Sequence, residues 1–461
     1  MKSTGQGPHI LILAAGLGKR MHSKLPKVLH PVLFRPMLHH VLDTAYAISH
    51  RSVTVVVGHQ ASSVKNECVT YKGLQFVEQK EQRGTGDAVR TARANYKGQS
   101  GELLILSGDV ILLLPKTLNE FLKAHANEKA IASLISAKLS DPKRYGRILR
   151  SAEGSVKAIR EDADCSPAEK KILEVNSGIY CFDIPALFET LERVSNENRQ
   201  GEFYLTDVIE LLNSGSKRLG VYLLDDAREM EGINNREDLA SAELVIQERV
   251  NRHFMQHGVT LRDPNSIFLD PRSEIGTDVT IEGGTVIEKS VIGEGVVIEA
   301  GSRIVNSRIG PKTQIKQGSY IEGSEVGPEC TLGPYLHLRP GTRLDRQVKL
   351  GNFVEVKNSV FAEGSKASHL SYIGDADIGK NVNLGCGFVT CNYDGHKKHK
   401  TIIEDDVFVG SDSQTVAPVT IGRGSYVASG STVTEDAPPD SLILSRGRQT
   451  TKPGYAKKFR K

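Results

Sequence analysis

The sequence predicts two kinds of domain, an α/β domain followed by a parallel β-helix, and three observations predict them. Short apolar runs alternate with segments of helical periodicity from about residue 8 to residue 230. A single helical pattern without Pro or Gly follows. After it, an aliphatic residue recurs every 17 or 18 positions. Two or more domains also suit a chain of 461 residues, because single cores stop growing at about 250–300 residues.

Strands and helices alternate in the first part of the chain. The predicted strands are "HILILAAG", "SVTVVVGH", "LQFVEQ", "ELLILSGD" and "AIASLISA", and helical spacing is clear in "MLHHVLDTAYAIS" and "TGDAVRTARANY". This alternation favours a Rossmann-like mixed sheet, mostly parallel, with helices on both faces. Ligands of such sheets bind at the carboxyl ends of strands. The loop after the first strand is therefore a candidate binding loop.

One long helix is predicted over about 236–257, "REDLASAELVIQERVNRHFMQH". It would be about 33 Å long at 1.5 Å per residue. The patterns on either side of it set the predicted domains: 1–232 for the α/β domain, 233–257 for the linker helix, and 258–461 for the β-helix with a C-terminal tail.

The second part of the chain is built of six-residue repeats. Residues at one position of the repeat are 17 apart and then continue after one step of 18: Ile275, Ile292, Ile309, Val326, Leu344, Phe361 and Ile378. Three repeats per cycle indicate triangular coils, each burying its aliphatic side chains against the coils above and below. A Gly-rich β-sandwich is the alternative, which the constant period disfavours. The six-residue repeat is interrupted at 389–401, where we expect a polar loop ejected from the coil.

Composition narrows the class of protein. Hydrophobic residues are 39% and charged residues 25%, as in ordinary globular proteins, and a net charge of +4 does not favour nucleic acid as a partner. Six cysteines without a C-x-x-C pair signal neither a zinc site nor a disulfide framework. The sequence shows neither a membrane-spanning stretch nor a signal peptide, so we expect a cytoplasmic protein. The basic tail, residues 452–461, is interpreted as a solvated end in preference to a ligand site.

The loop after the first strand reads L-A-A-G-x-G-x-R-M and is followed by L-P-K. It lacks the third Gly of a dinucleotide fold and the G-K-[ST] of a P-loop. Its glycines allow backbone amides to approach phosphates closely, and Arg20 and Lys27 supply fixed positive charge. The pattern resembles the nucleotidyltransferases that join a sugar phosphate to a nucleoside triphosphate. An ordinary surface loop is the alternative.

Two further segments support a nucleotide site. Gln79 precedes the turn Gly84-Thr85, and an amide suits the edge of a base. Asp109 ends the predicted strand "LLILSGDV". A helix cap is the alternative role for Asp109, but phosphoryl transfer between anions requires a divalent cation, and Mg²⁺ prefers such oxygen ligands.

Together these motifs make the whole chain resemble the bacterial bifunctional enzymes that make UDP-N-acetylglucosamine. In that family an N-acetylglucosamine-1-phosphate uridylyltransferase is fused to a glucosamine-1-phosphate N-acetyltransferase. The resemblance implies a nucleotidyltransferase domain and a left-handed parallel β-helix of hexapeptide repeats. It also implies acetyl transfer from acetyl-CoA to glucosamine-1-phosphate, then uridylyl transfer from UTP with release of pyrophosphate. The product would feed peptidoglycan and lipopolysaccharide synthesis.

The resemblance also implies roles for residues of the first site. The uridine nucleotide would be held by Leu13, Ala14, Ala15, Gly16, Gln79, Gly84 and Thr85, its triphosphate by Arg20 and Lys27, the sugar by Gly146, Glu161 and Asn176, and Mg²⁺ by Asp109 and Asn234. Attack of the sugar phosphate on the α-phosphorus would be in line, without a covalent intermediate. The chain departs from the family pattern at Ser107, Ile111 and Arg144.

A second set of polar residues lies within the repeats. In order along the chain these are Arg339, Glu355, Lys357, His369, Tyr372, Asn383, Asn392 and Tyr393. A lone outward His is usually only solvated. Resemblance to hexapeptide acyltransferases instead implies that His369 is the general base, oriented by Glu355, and that Arg339 and Lys357 bind the sugar phosphate. Tyr372, Asn383, Asn392 and Tyr393 would complete that pocket.

The same resemblance places coenzyme A near the end of the β-helix. Donors near Ser411 would stabilise the oxyanion, and Ser429 and Arg446 would contact the coenzyme. Cys386 and Ser429 stand where the family usually has Ala. The family forms homotrimers with acetyltransferase pockets between subunits, which implies the same here. Two alternatives stay open at this stage: a nucleotidylyltransferase whose β-helix only regulates or oligomerises, and a structural subunit without activity.

Overall fold

A computed structural model describes residues 7–142, 144–213 and 218–460 of the chain. The chain divides into two compact units, Met1–Ile246 and Gln247–Lys461. The division falls inside the helix Arg236–Gln256, which the sequence predicted almost residue for residue. Among the described residues there is no helix of the length and apolar character needed to cross a membrane.

The first unit contains a mixed sheet, as predicted. Its strands lie in the spatial order Leu219–Leu223, Ala132–Lys138, Glu174–Asp183, Glu102–Ser107, His9–Ala14, Ser52–Val57 and Leu74–Glu78. All neighbours are parallel except Glu174–Asp183, which is antiparallel to both of its neighbours. The central strands are almost continuously buried, as expected for strands covered on both faces.

Helices and short strands complete the first unit. The α-helices are Met37–Ala47, Ala61–Glu67, Thr85–Thr91, Pro115–Glu128, Ile184–Leu191 and Asp207–Asn213. The smaller strands are Pro31–Val32, Arg35–Pro36, Arg147–Arg150 and Val156–Arg160. Strand His9–Ala14 lies between Glu102–Ser107 and Ser52–Val57, so the loops that follow these three parallel strands meet at one edge.

The second unit is a parallel β-helix. One sheet joins the strands Thr260–Leu261, Phe268–Leu269, Thr280–Ile281, Val286–Glu288, Val297–Ile298, Arg303–Val305, Gln314–Ile315, Tyr320–Glu322, Thr331–Leu332, His337–Leu338, Lys349–Lys357, Lys366–Gly374, Asn383–Leu384, Val389–Cys391, Phe408–Val409, Gln414–Val416, Tyr426–Val427, Thr432–Val433 and Leu442–Ile443. The other joins Glu274–Ile275, Val291–Ile292, Arg308–Ile309, Glu325–Val326, Arg343–Leu344, Val360–Phe361, Ala376–Ile378, Thr401–Ile403 and Val419–Ile421.

The predicted aliphatic series forms an internal ladder. Each member pairs with the next in register, from Ile275 with Ile292 through Phe361 with Ile378. All but the partly buried Ile275 are at most 5% exposed. Ile378 then pairs with Ile403, a step of 25 residues instead of 17, so about eight residues leave the coil where the rhythm breaks. The repeat prediction is confirmed, and a loop leaves the coil within the predicted range 389–401. The bounds of that range are too wide, because Val389–Cys391 and Thr401 stay in the strand ladder of the coil.

Candidate functional sites

The glycine loop follows the strand His9–Ala14 directly. Gly18 has φ +59°, and a Cβ at this position would lie 2.7 Å from the Cβ of Lys27. Glycine is therefore required there for Lys27 to pack alongside the loop. Gly16 is exposed, and a Cβ there would meet nothing within 4 Å, so packing within the chain does not require this glycine.

Four predicted residues converge at this edge of the sheet. Lys27 Nζ donates to Asp109 Oδ2 at 2.5 Å and to Asn234 Oδ1 at 3.0 Å. Arg20 Nη2 donates to the same Asn234 oxygen at 2.9 Å. The cluster is partly buried, since the Lys27 and Asp109 side chains are 12% and 26% exposed. Two cations and two oxygen ligands thus lie within one hydrogen-bonded group, which we call the charge cluster.

Two of the residues predicted to hold the nucleotide, Gln79 and Gly84, are joined by a hydrogen bond. Gln79 is buried, and its Nε2 donates to Asp87 Oδ2 at 2.8 Å and to Gly84 O at 3.3 Å. Gly84 has φ +110°, and a Cβ there would lie 2.6 Å from the carbonyl oxygen of Phe203. Gln79 therefore shapes the Gly84 turn, and its amide hydrogens are used within the fold.

The three predicted sugar residues adjoin one another. Asn176 N donates to Gly146 O at 2.9 Å, and Asn176 Nδ2 donates to Tyr180 Oη at 2.6 Å. A Cβ on Gly146 would lie 3.6 Å from Glu161 Oε2, while Thr206 Oγ1 donates to Glu161 Oε1 at 3.0 Å. Burial raises the pKa of Glu161.

A cavity of about 320 Å³ adjoins Glu161. Asp164, Tyr204 and Asp207 are among its lining residues. Burial, with the nearby Glu210 carboxylate, raises the pKa of Asp207 to about 6. This corner of the first unit therefore holds carboxyl groups that take up protons more readily than free ones.

One edge of the β-helix carries the predicted base and the predicted coenzyme residues in a single column. Strand pairing places His369 beside Asn352, and coil-to-coil backbone bonds place Cys386, Ser411 and Ser429 on the three following coils. In the next coil, Arg446 Nη1 donates to Ser429 O at 2.8 Å. His369, Cys386, Ser411, Ser429 and Arg446 are all exposed. We call this line of residues the edge column.

Three cations lie together on the neighbouring face. Arg339 and Lys357 lie on successive coils, and the ammonium of Lys398 beside Lys357 lowers the pKa of Lys357. The guanidinium of Arg339 contributes to the same effect. Lys398 belongs to the ejected loop and was not predicted from the sequence. Its only sequence signal was its place in a basic stretch of that loop, "HKKHK".

One expected contact is not formed within the chain. Glu355 was expected to orient His369, but the strand register sets Glu355 opposite Tyr372, and Arg339 Nη1 donates to Glu355 Oε1 at 2.9 Å. The residue opposite His369 is Asn352, whose Oδ1 lies 3.1 Å from His369 Nδ1. The 17-residue repeat places Asn352 directly before His369 in the stack of coils.

The remaining predicted residues lie around this face. A Cβ on Gly374 would lie 2.5 Å from Tyr372 Oη and 2.8 Å from Asn392 Nδ2, so Gly374 leaves room for both side chains to approach. Tyr393 is 61% exposed in the ejected loop. Asn383 is half-buried and pairs with Lys366 one coil before, three residues ahead of Cys386.

The family departures lie outside these contacts. Ile111 is buried and Arg144 is exposed. Ser107 ends its strand beside Gly178, where an added Cβ would lie 3.4 Å from the Ser107 hydroxyl. None of these three residues takes part in the hydrogen bonds of the charge cluster among the described residues.

Comparison with known proteins agrees with both halves of this description. Residues 9–228 match the nucleotidyl transferase family model, and residues 400–435 match that of the bacterial transferase hexapeptide (six repeats). The chain is 48% identical to "Bifunctional protein GlmU" of Geobacter metallireducens over 468 residues, covering 98% of each chain. Proteins of the same name from Geobacillus sp. and Bacillus velezensis are 45% and 46% identical over 97% and 98% of each chain.

The chain belongs to the GlmU family. The predicted bifunctional transferase of UDP-N-acetylglucosamine synthesis is thereby confirmed, with its nucleotidyltransferase, acyltransferase and cell-wall roles. The predicted fold class is confirmed as well. Membership of the GlmU family disfavours both alternatives left open by the sequence, a regulatory β-helix and an inactive subunit. The residue roles stay predictions, to which the geometry above gives support.

Proposed function

We propose that the charge cluster performs uridylyl transfer. Arg20 and Lys27 would bind the triphosphate of UTP and neutralise the charge that develops as pyrophosphate leaves. Their present partners, Asp109 and Asn234, hold both cations at one point of the sheet edge. This convergence of residues from three distant parts of the chain is the observation that carries the proposal.

The nucleotide and sugar would lie on either side of this cluster. Residues 13–16 line the end of the first strand, and the turn at Gly84-Thr85, braced by Gln79, would receive the uracil base. Gly146, Glu161 and Asn176 would bind N-acetylglucosamine-1-phosphate. Holding both substrates in line for attack on the α-phosphorus reduces the entropic cost of the reaction.

The residues present fit Mg²⁺. Asp109 Oδ2 and Asn234 Oδ1 approach the same Lys27 ammonium, so two hard oxygen ligands already face one positive charge. No group of three or more His, Cys, Asp or Glu side chains suited to a metal occurs in the described ranges. That is consistent with Mg²⁺, which commonly takes one or two protein ligands and completes its shell with phosphate and water. When bound, the ion would neutralise phosphate charge.

We propose that the β-helix performs acetyl transfer along the edge column. Because Asn352 accepts from His369 Nδ1, Nε2 carries the lone pair and can take a proton from the attacking amine. Arg339, Lys357 and Lys398 would bind the phosphate of glucosamine-1-phosphate, with Tyr372, Asn392 and Tyr393 nearby. Acetyl-CoA would lie along Cys386, Ser411 and Ser429, with Arg446 close to its phosphates.

The assembly would be a cytoplasmic homotrimer. Hexapeptide-repeat domains tend to oligomerise, which is consistent with this proposal. The exposed faces of a single β-helix offer little enclosure, and a pocket between subunits would supply it. Sedimentation of the full chain tests this part of the proposal, and a stable monomer at assay concentration would contradict it.

Assays of the two half-reactions with the purified chain test the assignment. We expect UTP and N-acetylglucosamine-1-phosphate to yield pyrophosphate in the presence of Mg²⁺, and acetyl-CoA and glucosamine-1-phosphate to yield free coenzyme A. Arg20→Ala should impair only the first reaction and Lys357→Ala only the second. Loss of both reactions from either substitution in a folded protein would refute the two-site assignment.

A further inference from the structure

The tip of the ejected loop is closed by one carboxylate. Asp394 Oδ1 accepts hydrogen bonds from His396 N and Lys397 N, both at 2.7 Å, as in a tight turn. Asp394 Oδ2 lies 2.7 Å from His399 Nε2, and because a carboxylate only accepts, this nitrogen carries the hydrogen. The hydrogen bond from Lys397 N, with those from His399 and His396, lowers the pKa of Asp394 to about 2, so the carboxyl group is ionised. One side chain thus joins the outgoing arm of the loop to the returning arm.

The same closure fixes the backbone at Lys398. Lys398 pairs with Tyr393 in an antiparallel bridge, and His399 N donates to Asn392 O at 2.8 Å. The side-chain contact of Asp394 with His399 ties together the same two arms. The position of Lys398 therefore depends on the closure of this short hairpin.

The rest of the loop gives little support to the Lys398 ammonium. In the segment 392–400, all of which the structure describes, Asn392 alone is buried, so apolar packing does not fix the tip. The Lys398 ammonium lies beside that of Lys357 and lowers the pKa of Lys357. Two like charges at close range favour an open loop. Closure before a phosphate arrives thus requires an attraction elsewhere, and the hydrogen-bonded pair at the tip supplies one.

We propose that His399 is a positioning residue for acetyl transfer, which acts through Asp394 to hold Lys398 ready for the phosphate of glucosamine-1-phosphate. The proposal rests on the acetyltransferase function and on the role of Lys398 proposed above. A loop that is already closed loses less conformational freedom when the substrate binds, so its affinity for the phosphate is higher. The effect of His399 should therefore be on substrate binding and not on the chemical step.

The test is a double-mutant cycle on the full chain, with acetyl-CoA in excess and glucosamine-1-phosphate varied. His399→Ala should raise the KM for glucosamine-1-phosphate about three- to fivefold, as expected for a pair whose side chains are 31% and 45% exposed. The kcat should change less than about twofold. His399→Gln should restore the low KM, because its side-chain amide can still donate to the carboxylate. In a Lys398→Ala background, His399→Ala should raise the KM no further, because the group that it positions is gone.

His396→Ala is the matched control, because it removes an imidazole from the same loop. His396 contributes its backbone N–H to the turn, and the substitution retains that group. Both KM and kcat should therefore be unchanged. An unchanged KM for acetyl-CoA reports that the β-helix of each variant is intact.

The outcomes separate this inference from the proposed function. An unchanged KM after His399→Ala, an equal rise after His396→Ala, or a full further rise in the Lys398→Ala background overturns the inference. A fall in kcat with an unchanged KM overturns it as well, since it indicates a merely structural role. In each of these cases acetyl transfer by the unsubstituted chain leaves the proposed function standing. An unsubstituted chain that transfers no acetyl group to glucosamine-1-phosphate refutes the function, and the inference with it.

Discussion

The two proposed sites of this protein are assembled by opposite means. In the α/β domain, Lys27 meets partners 82 and 207 residues away, Asp109 and Asn234. In the β-helix, His369 meets a partner 17 residues away, and Cys386 follows at the same interval. The first site is positioned by contacts between strands and loops that are distant in sequence. The second is positioned by the constant repeat of the β-helix. A local error in spacing would therefore displace a β-helix site, while the α/β site depends on the whole sheet.

Among the substitutions considered, His369→Ala should have the largest effect on the rate of one half-reaction. We expect acetyl transfer to fall about 10³-fold, because general base catalysis contributes about 10²–10⁴. Uridylyl transfer should be unchanged, because His369 belongs to the second unit. The measurement is the initial rate of both half-reactions with one preparation. Retention of full acetyl transfer would show that another group is the base.

Asp109→Ala should have the converse effect and be somewhat smaller. Uridylyl transfer should fall about 10²-fold or more, since Lys27 loses its carboxylate partner and one oxygen ligand for Mg²⁺ is removed. The concentration of Mg²⁺ needed for half-maximal rate should rise. Acetyl transfer serves as the internal control. An unchanged Mg²⁺ dependence would contradict the place given to Asp109.

Lys398→Ala tests the residue that sequence analysis missed. We expect the KM for glucosamine-1-phosphate to rise about tenfold, since a charged hydrogen bond to phosphate contributes about 1.5–3 kcal/mol. The kcat should change less. Lys400→Ala is the matched control, because Lys400 is two residues away and pairs with Asp377 at 2.5 Å. Equal effects of the two substitutions would indicate a general charge effect.

Asp207→Asn should have the smallest effect, seen in stability alone. The folded-state pKa of Asp207, about 6, lies above its ordinary value of 3.8, so the folded protein binds this proton more tightly than the unfolded chain. Stability due to this group is therefore greatest below about pH 4 and declines as the pH rises to about 6. We expect the substituted protein to lose this decline. Its unfolding midpoint near pH 7 should therefore lie about 2–4 °C above that of the unsubstituted protein. Equal pH profiles for both proteins would contradict the raised pKa.

Most of the fold could be predicted from the sequence, but the two sites differ in this respect. The ladder from Ile275 to Ile378 follows from periodicity alone, since a fixed repeat fixes which residues stack. The charge cluster did not follow from spacing, because its members are distant in sequence and only the resemblance to a family united them. Within the β-helix, the family resemblance implied that Glu355 orients His369, whereas the 17-residue register places Asn352 opposite His369 and Glu355 opposite Tyr372.

The ejected loop has a consequence for how this protein can vary. Ile378 and Ile403 stack on adjacent coils although 24 residues separate them in sequence. The core of the β-helix therefore does not depend on the length of the loop between them. The segment that carries Asn392 and Lys398 is thus a surface loop on an otherwise continuous stack of coils. The length and sequence of this loop can therefore change without disturbing the stacked coils, whereas the partners of Lys27 are fixed by the sheet of the α/β domain.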